Sequence, residues 1–389
     1  MVKNNVEKPA PHAGLTAEER QWLDGVWDKL QVKMSAEVDR IGDRIPYIPE
    51  NGAYREDKAE TDIYWWTNGF WPGMLWQMYH ATEEEKYRAA AESVERKLDA
   101  ALEGYDGLHH DVGFMWLHSA VANYRLTGSA RAKTRGMHAA NLLAGRYNPA
   151  GRFIRAWNDD CTGWIIVDCM MNIPLLYWAS RETGDPRFDV IARQHADTTL
   201  ANVVRPDGSC NHIVILSPED GSFVEAPGGQ GYGTGSAWSR GQAWALYGFA
   251  LSHRHTGEAR YLEAAKRVAH YFIANVAATG YVPLVDFRAP AEPVAWDTTA
   301  GMCAACGLLE IAETLPALEK PLYVNAALRI LQATDERFCN WNLAEDAIVG
   351  GGTGSYHGRN GDCAVPIIYG DYFLIEAVLR LKGMDFLIW

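Results

Sequence analysis

Two aspartates stand apart from the other acidic residues of the chain. Asp168 is the only charged residue in the run IIVDCMMNIPLLYW, Ile165 to Trp178, and Asp111 closes GYDGLHHD just before the apolar stretch VGFMW. A carboxyl near a helix start is held as the anion, whereas burial or a second anion raises its proton affinity. Two carboxyls pushed apart in this way can divide the labour of acid and base. From their flanking residues, Asp168 reads as the more enclosed member that keeps its proton. Asp111, beside His110, reads as ionised. A buried Asp paired with a cation would leave the same trace in a sequence.

Other residues around them suit a polar, ring-shaped ligand. Trp71, Trp157 and Trp244 lie near glycines and charges and could wall a cleft, whereas Trp76 and Trp116 sit in helical patterns and read as core. His109, His110 and Asp111 are adjacent, but neighbouring side chains on a helix diverge and no HExxH pattern or clear further ligand accompanies them, so no metal is expected. The loops GGQGYGTGS, from Gly228, and GGGTGS, from Gly350, lack the preceding strand and the Gly-Lys-Ser/Thr of a phosphate cradle. Cys303 and Cys306 form a CxxC inside a small and apolar run and read as buried structural thiols.

The elements that must position these residues follow a repeat. A helix-like apolar stretch runs into a Thr-bearing turn, and an amphipathic stretch follows; the turns fall near Thr82, Thr127, Thr183, Thr256 and Thr314. Each unit reads as helix, tight turn, helix. Segments Thr16 to Ile41 and Tyr369 to Lys382 supply one helix each and can pair as a sixth hairpin. The predicted fold is an all-α, six-hairpin α/α toroid over 1–389, with residues 1–15 as a flexible arm. The links between hairpins carry the Asp, His, Arg and Trp residues and gather at one mouth, where HIVIL and YVPLV can form short strands. Pro174 places the start of the helix after Asp168 near Asn172, or kinks it there.

The chain has 389 residues and a formal charge of −13, without a long Lys/Arg cluster, which argues against a nucleic-acid partner. No run approaches the ~20 apolar residues of a membrane span. The polar N-terminal stretch has no apolar signal region, so a cytoplasmic location is expected.

Four ordered motifs, HHDVGFMW, IIVDCMMNIPLLYWAS, QGYGTGSAWSRGQAWALYG and IIYGDYFLIEAVLRL, resemble the unsaturated glucuronyl hydrolases of glycoside hydrolase family 88. The resemblance runs from about Trp65 to the C-terminus. It implies an α/α barrel without metal or organic cofactor. It also implies hydrolysis of lyase-generated oligosaccharides that end in a 4,5-unsaturated uronic acid, through hydration of the C4=C5 vinyl ether. By motif, Asp168 matches the acid that protonates C4 and then takes a proton from water, and Asp111 matches the second essential Asp. His212, Gln230, Arg240 and Trp244 match positions around the uronate and reacting centre, with the Arg240 fork able to pair with a carboxylate, and His110 matches the His beside the second Asp. Trp157 and Trp71 match aromatic walls. Relatives that accept sulfated fragments carry a Ser, Ser, Lys set; here these positions are Ser355, Gly358 and Asn360, with Arg359 adjacent, so sulfated and unsulfated fragments both stay open. The substrate partner is an unsaturated di- or oligosaccharide, and the protein is expected as a monomer or homodimer. Alternatives are an unsaturated rhamnogalacturonyl hydrolase, a conventional inverting glycosidase or sugar epimerase on the same fold, and a non-catalytic carbohydrate-binding protein.

Overall fold

The computed structural model describes residues 14–358 and 362–389. The first helix, α1 (Ala17–Ile41), opens on a capping box in which Thr16 and Glu19 bond each other's backbone N–H. A short α2 (Lys58–Thr61) precedes α3 (Phe70–Thr82) and α4 (Glu85–Gly104). Then come α5 (Val112–Trp116) and α6 (Ala122–Thr127), two halves of one rod joined by a π-helical turn over Leu117–Val121, followed by α7 (Ala130–Gly145). Next are α8 (Pro174–Thr183), α9 (Pro186–Asn202), α10 (Ser239–Thr256), α11 (Ala259–Ala277), α12 (Thr298–Thr314), α13 (Lys320–Phe338) and α14 (Ile368–Leu381).

The five expected turn threonines each end an inner helix. The reason is chemical. Thr127, Thr183 and Thr256 donate their hydroxyl to the carbonyl four residues back, at 2.9, 2.7 and 2.6 Å, and accept the N–H two residues on, at 3.2, 3.2 and 3.1 Å. One side chain thus satisfies a terminal carbonyl of one helix and starts the next. Thr314 instead bonds the carbonyl of Ile311, in keeping with its weaker copy of the pattern.

The inner ring consists of α3, α5–α6, α8, α10, α12 and α14, and it closes because α14 packs on α3. The second helices of the hairpins form an outer ring, with α1 packed on α14 as the sixth pair. Every residue of α14 is buried, whereas α11 buries only Tyr261, Ala264, Ala265, Val268, Ala269, Phe272 and Val276, one stripe at helical spacing. Leu15, expected in a flexible arm, is already packed in the core, and residues 1–13 lie outside the described residues.

The ring tolerates little added volume. A Cβ on Gly248 of α10 would stand 2.5 Å from Met170 Cβ and 2.8 Å from the Met170 backbone. The mouth carries two small antiparallel sheets: β1 (Tyr147–Asn148) with β2 (Phe153–Ile154), and β3 (Trp164–Ile166), β4 (Ile213–Leu216) and β5 (Phe223–Glu225) in that order. HIVIL supplies β4 as expected, whereas YVPLV contributes only an isolated bridge from Leu284 to Trp296. Among the described residues no helix is long and apolar enough to cross a membrane. Gly248→Ala is expected to cost about 1–3 kcal/mol of stability, because the clash is with backbone that cannot rotate away; denaturant unfolding of the variant checks it.

Candidate active site

Asp111 occupies the cap position of α5 but makes no capping bond; its carboxyl turns sideways. Asp168 lies in a 3₁₀ turn, Val167–Met171, and the regular helix after it begins only at Pro174, whose ring suits a first helical position. These two segments meet because residue 113 is glycine: a Cβ there would stand 2.5 Å from Asn172 Cα. Both carboxylates therefore line one cavity of about 230 Å³. Trp65, Trp66, His109, His110, Trp157, Gln230, Trp238 and Arg240 complete its wall.

The electrostatics reverse the expectation drawn from flanking residues. Asp111 is the buried member, and Asp168 is partly accessible. Burial, and then the charge of Asp168, hold Asp111 well above the usual carboxylate range, against a 3.0 Å hydrogen bond donated by Asn172 Nδ2 to Asp111 Oδ1. In the tight 3₁₀ turn Val167, Cys169, Met170 and Met171 face the core while Asp168 faces the cavity, so its apolar neighbours in sequence are not its surroundings. His110 agrees with a proton on Asp111. Its Nδ1 lies 2.8 Å from the Ala156 carbonyl, which only accepts, so the proton is on Nδ1 and Nε2 presents a lone pair 3.2 Å from Asp111 Oδ1. Burial keeps His110 well below its ordinary value, and the charge of His109 acts in the same sense. His109, pushed down to about 4 by burial and by Arg146, stacks on it at 5.1 Å.

His212 takes the opposite tautomer. Its Nδ1 accepts the Gln230 N–H at 2.9 Å, so Nε2 carries hydrogen, 3.5 Å from Asp168 Oδ2. Neither of these buried atoms makes a hydrogen bond among the described residues. Gln230 also reaches the Gly354 carbonyl at 2.8 Å and so ties the glycine-rich loop to the segment carrying buried Ser355. Trp157 stands edge-on to His110 at 6.0 Å and lines the cavity.

Three expectations need correction. Trp71 does not face the cavity: it is fully buried and its indole N–H bonds the Gly42 carbonyl at 3.0 Å, because the first turn of α3 points it toward the end of α1. Trp244 sits one helical turn below Arg240 and packs on Phe114, Trp66 and Phe373 as the floor beneath the wall. The Arg240 fork is not open to a carboxylate. Its terminal nitrogens are spent on Asp297 at 2.8 Å, the Thr353 carbonyl at 2.6 Å, the Gly354 carbonyl and Thr299, leaving Nε alone unpartnered. Arg359 and Asn360 lie outside the described residues.

Trp65, Trp66, Trp238 and Asn172 were not singled out from sequence. The tryptophans sit in mouth links, which was the available signal, whereas nothing local marks Asn172. The donor atoms of His109, His110 and Asp111 come within 4.8 Å of one another, yet Arg146 holds its positive charge beside all three, a poor setting for a cation. A larger cavity of about 750 Å³ at the tight-turn end is bordered by Arg254 and Arg380, which are already paired with Glu310 and Glu313.

Residues 38–284 match the model of glycosyl hydrolase family 88. The chain belongs to that family. It is 36% identical to the unsaturated glucuronyl hydrolase of Bacillus sp. strain GL1, over 93% of this chain and 97% of that one. It is 33% identical to the unsaturated chondroitin disaccharide hydrolase of Streptococcus pneumoniae, over 81% of each. The crystal structure of the Bacillus glucuronyl hydrolase superposes with a TM-score of 0.86 at 35% identity, covering 93% of this chain and 97% of that one. The family's helical toroid is thus the fold described above, and the chain is an enzyme of this hydrolase family.

The raised proton affinity of Asp111 has a consequence for stability. Its contribution is fully present below the unfolded carboxyl pKa and is lost as pH rises through the higher folded value. Asp111→Asn removes that loss, so the variant should melt about 2 °C above the parent at pH 8, with the difference shrinking toward pH 4; calorimetry at the two pH values checks it.

Proposed function

We propose that the protein hydrolyses oligosaccharides bearing a 4,5-unsaturated uronic acid at the non-reducing end, with glycosaminoglycan-derived disaccharides as the substrate class. The observation that carries this is the pairing of Asp168, which lines a cavity rimmed by tryptophan, with His212, whose Nε2 lies 3.5 Å from Asp168 Oδ2. Trp65 Nε1, Trp238 Nε1 and Arg240 Nε add further unpartnered N–H donors around the same space. A cavity with this surplus of donors suits a ligand rich in acceptors, such as a uronate with its ring hydroxyls.

The reaction follows from the substrate's enol ether. Asp168 delivers a proton to C4, and positive charge develops on C5 and the ring oxygen. Asp168, now an anion, takes a proton from the water that adds to C5. The resulting C5 hemiketal opens to a ketone, and the hemiacetal exposed at C1 releases the leaving sugar. One water is consumed and the carboxyl ends as it began. Asp111, whose proton affinity is raised first by burial, acts as a hydrogen-bonding group for the sugar. His212 Nε2–H orients the Asp168 carboxyl.

Loss of the ultraviolet absorbance of an unsaturated disaccharide is the direct assay. Asp168→Asn should lower kcat by about 10³-fold with an unchanged circular dichroism spectrum; parent-like turnover would remove the mechanism. Because the acid must be protonated, kcat should fall about tenfold per pH unit above the apparent pKa of the carboxyl pair. Cleavage of saturated substrates with the ultraviolet signal intact would point to chemistry at the anomeric carbon instead.

A further inference from the structure

Asn172 connects the two carboxylate-bearing segments through a single amide. It is fully buried between the 3₁₀ turn and α8. Its Oδ1 accepts the Phe114 N–H at 2.8 Å. A backbone N–H only donates, so this bond fixes which side of the amide carries nitrogen. Nδ2 then donates to Asp111 Oδ1 at 3.0 Å and to the Asp168 carbonyl at 3.1 Å. One planar group thus touches the first turn of α5, the carboxyl of Asp111 and the backbone of Asp168. Its placement depends on the close approach at Gly113, where a Cβ would stand 2.6 Å from the Asn172 carbonyl oxygen and 2.7 Å from Asn172 Oδ1.

We infer that Asn172 is a positioning residue for the reaction: its amide clamps Asp111 against Asp168 and supplies Asp111 with a donated N–H. The inference rests on the reading of the two aspartates as the reacting pair. Around Asp111 the charged and titratable groups are His109 and His110 on its own segment, Asp168 and Cys169 on the facing turn, and Arg146 from the end of α7. Of these, only Arg146 is a permanent cation, so the Asn172 N–H is the neutral donor that works against burial and against Asp168.

The isosteric variant Asn172→Asp separates positioning from simple packing. One carboxyl oxygen can still accept the Phe114 N–H. The other faces Asp111 Oδ1. At low pH it carries one proton and can replace the amide's bond to Asp111, though not its second bond to the Asp168 carbonyl; at high pH it is a second anion. With an unsaturated disaccharide as substrate, kcat of Asn172→Asp should fall about 100-fold at pH 8 and recover to within about 10-fold of the parent at pH 5, with KM within about 3-fold. Asn172→Ala, which removes the donor, should move the alkaline limb of the kcat profile to higher pH. A kcat ratio to the parent that is constant with pH in both variants, or parent-like kcat in either, would overturn the inference. If Asn172→Asp does not accumulate as folded protein, the limb position in Asn172→Ala decides. Asp168→Asn is the control: if it is as active as the parent, the reading of the aspartates fails; if it is inactive while the Asn172 variants match the parent, only the role of Asn172 fails.

Discussion

Two carboxyl groups share one cavity, and burial together with the charge of Asp168 raises the proton affinity of Asp111 there. The arrangement is expensive for stability and is held by the surrounding ring. Inner helices with almost no exposed side chains bring Asp111 and Asp168 together from separate links. Gly113 permits the approach and Asn172 bonds across it.

The rest of the barrel supports that cost in a different way. At the closed end, Arg380 pairs with Glu310, Glu313 and Glu376, Arg254 joins Glu310 and Glu313, and Tyr247 and the Trp389 indole bond Glu376. Buried charges there are matched by partners, as folded interiors require. Trp389 also stacks on Phe373 and packs beside His118, filling the space around the barrel axis. At the mouth, by contrast, Asp168 Oδ2, His212 Nε2 and Arg240 Nε make no hydrogen bond among the described residues. The buried charges at the tight-turn end are thus paired, whereas the carboxylate-bearing end keeps unpaired donors and acceptors around its cavity.

Much of this was legible beforehand. The turn threonines announced the hairpins because their hydroxyls serve the local backbone, a short-range function that leaves a short-range pattern. The convergence of Asp111, His110, Asp168, His212, Gln230, Trp157 and Arg240 followed from their place in the links. The orientation of individual side chains did not. Trp71 and Trp244 turned out to pack behind the wall, while Trp65, Trp66 and Trp238 form it. Adjacent tryptophans on one segment differ by a helical rotation that only neighbouring elements fix.

The amino-acid sequence by itself determined the repeat, the inner and outer character of the helices, the gathering of reactive residues at one end and the family to which the chain belongs. These depend on local periodicity, capping chemistry and ordered motifs. Tertiary structure decided which aspartate is enclosed, which way each histidine carries its proton, and that Arg240 spends its terminal nitrogens on Asp297 and two carbonyls. Those outcomes depend on groups brought together from distant parts of the chain, and proton affinity is set by what lies nearby in space, whatever its distance in sequence.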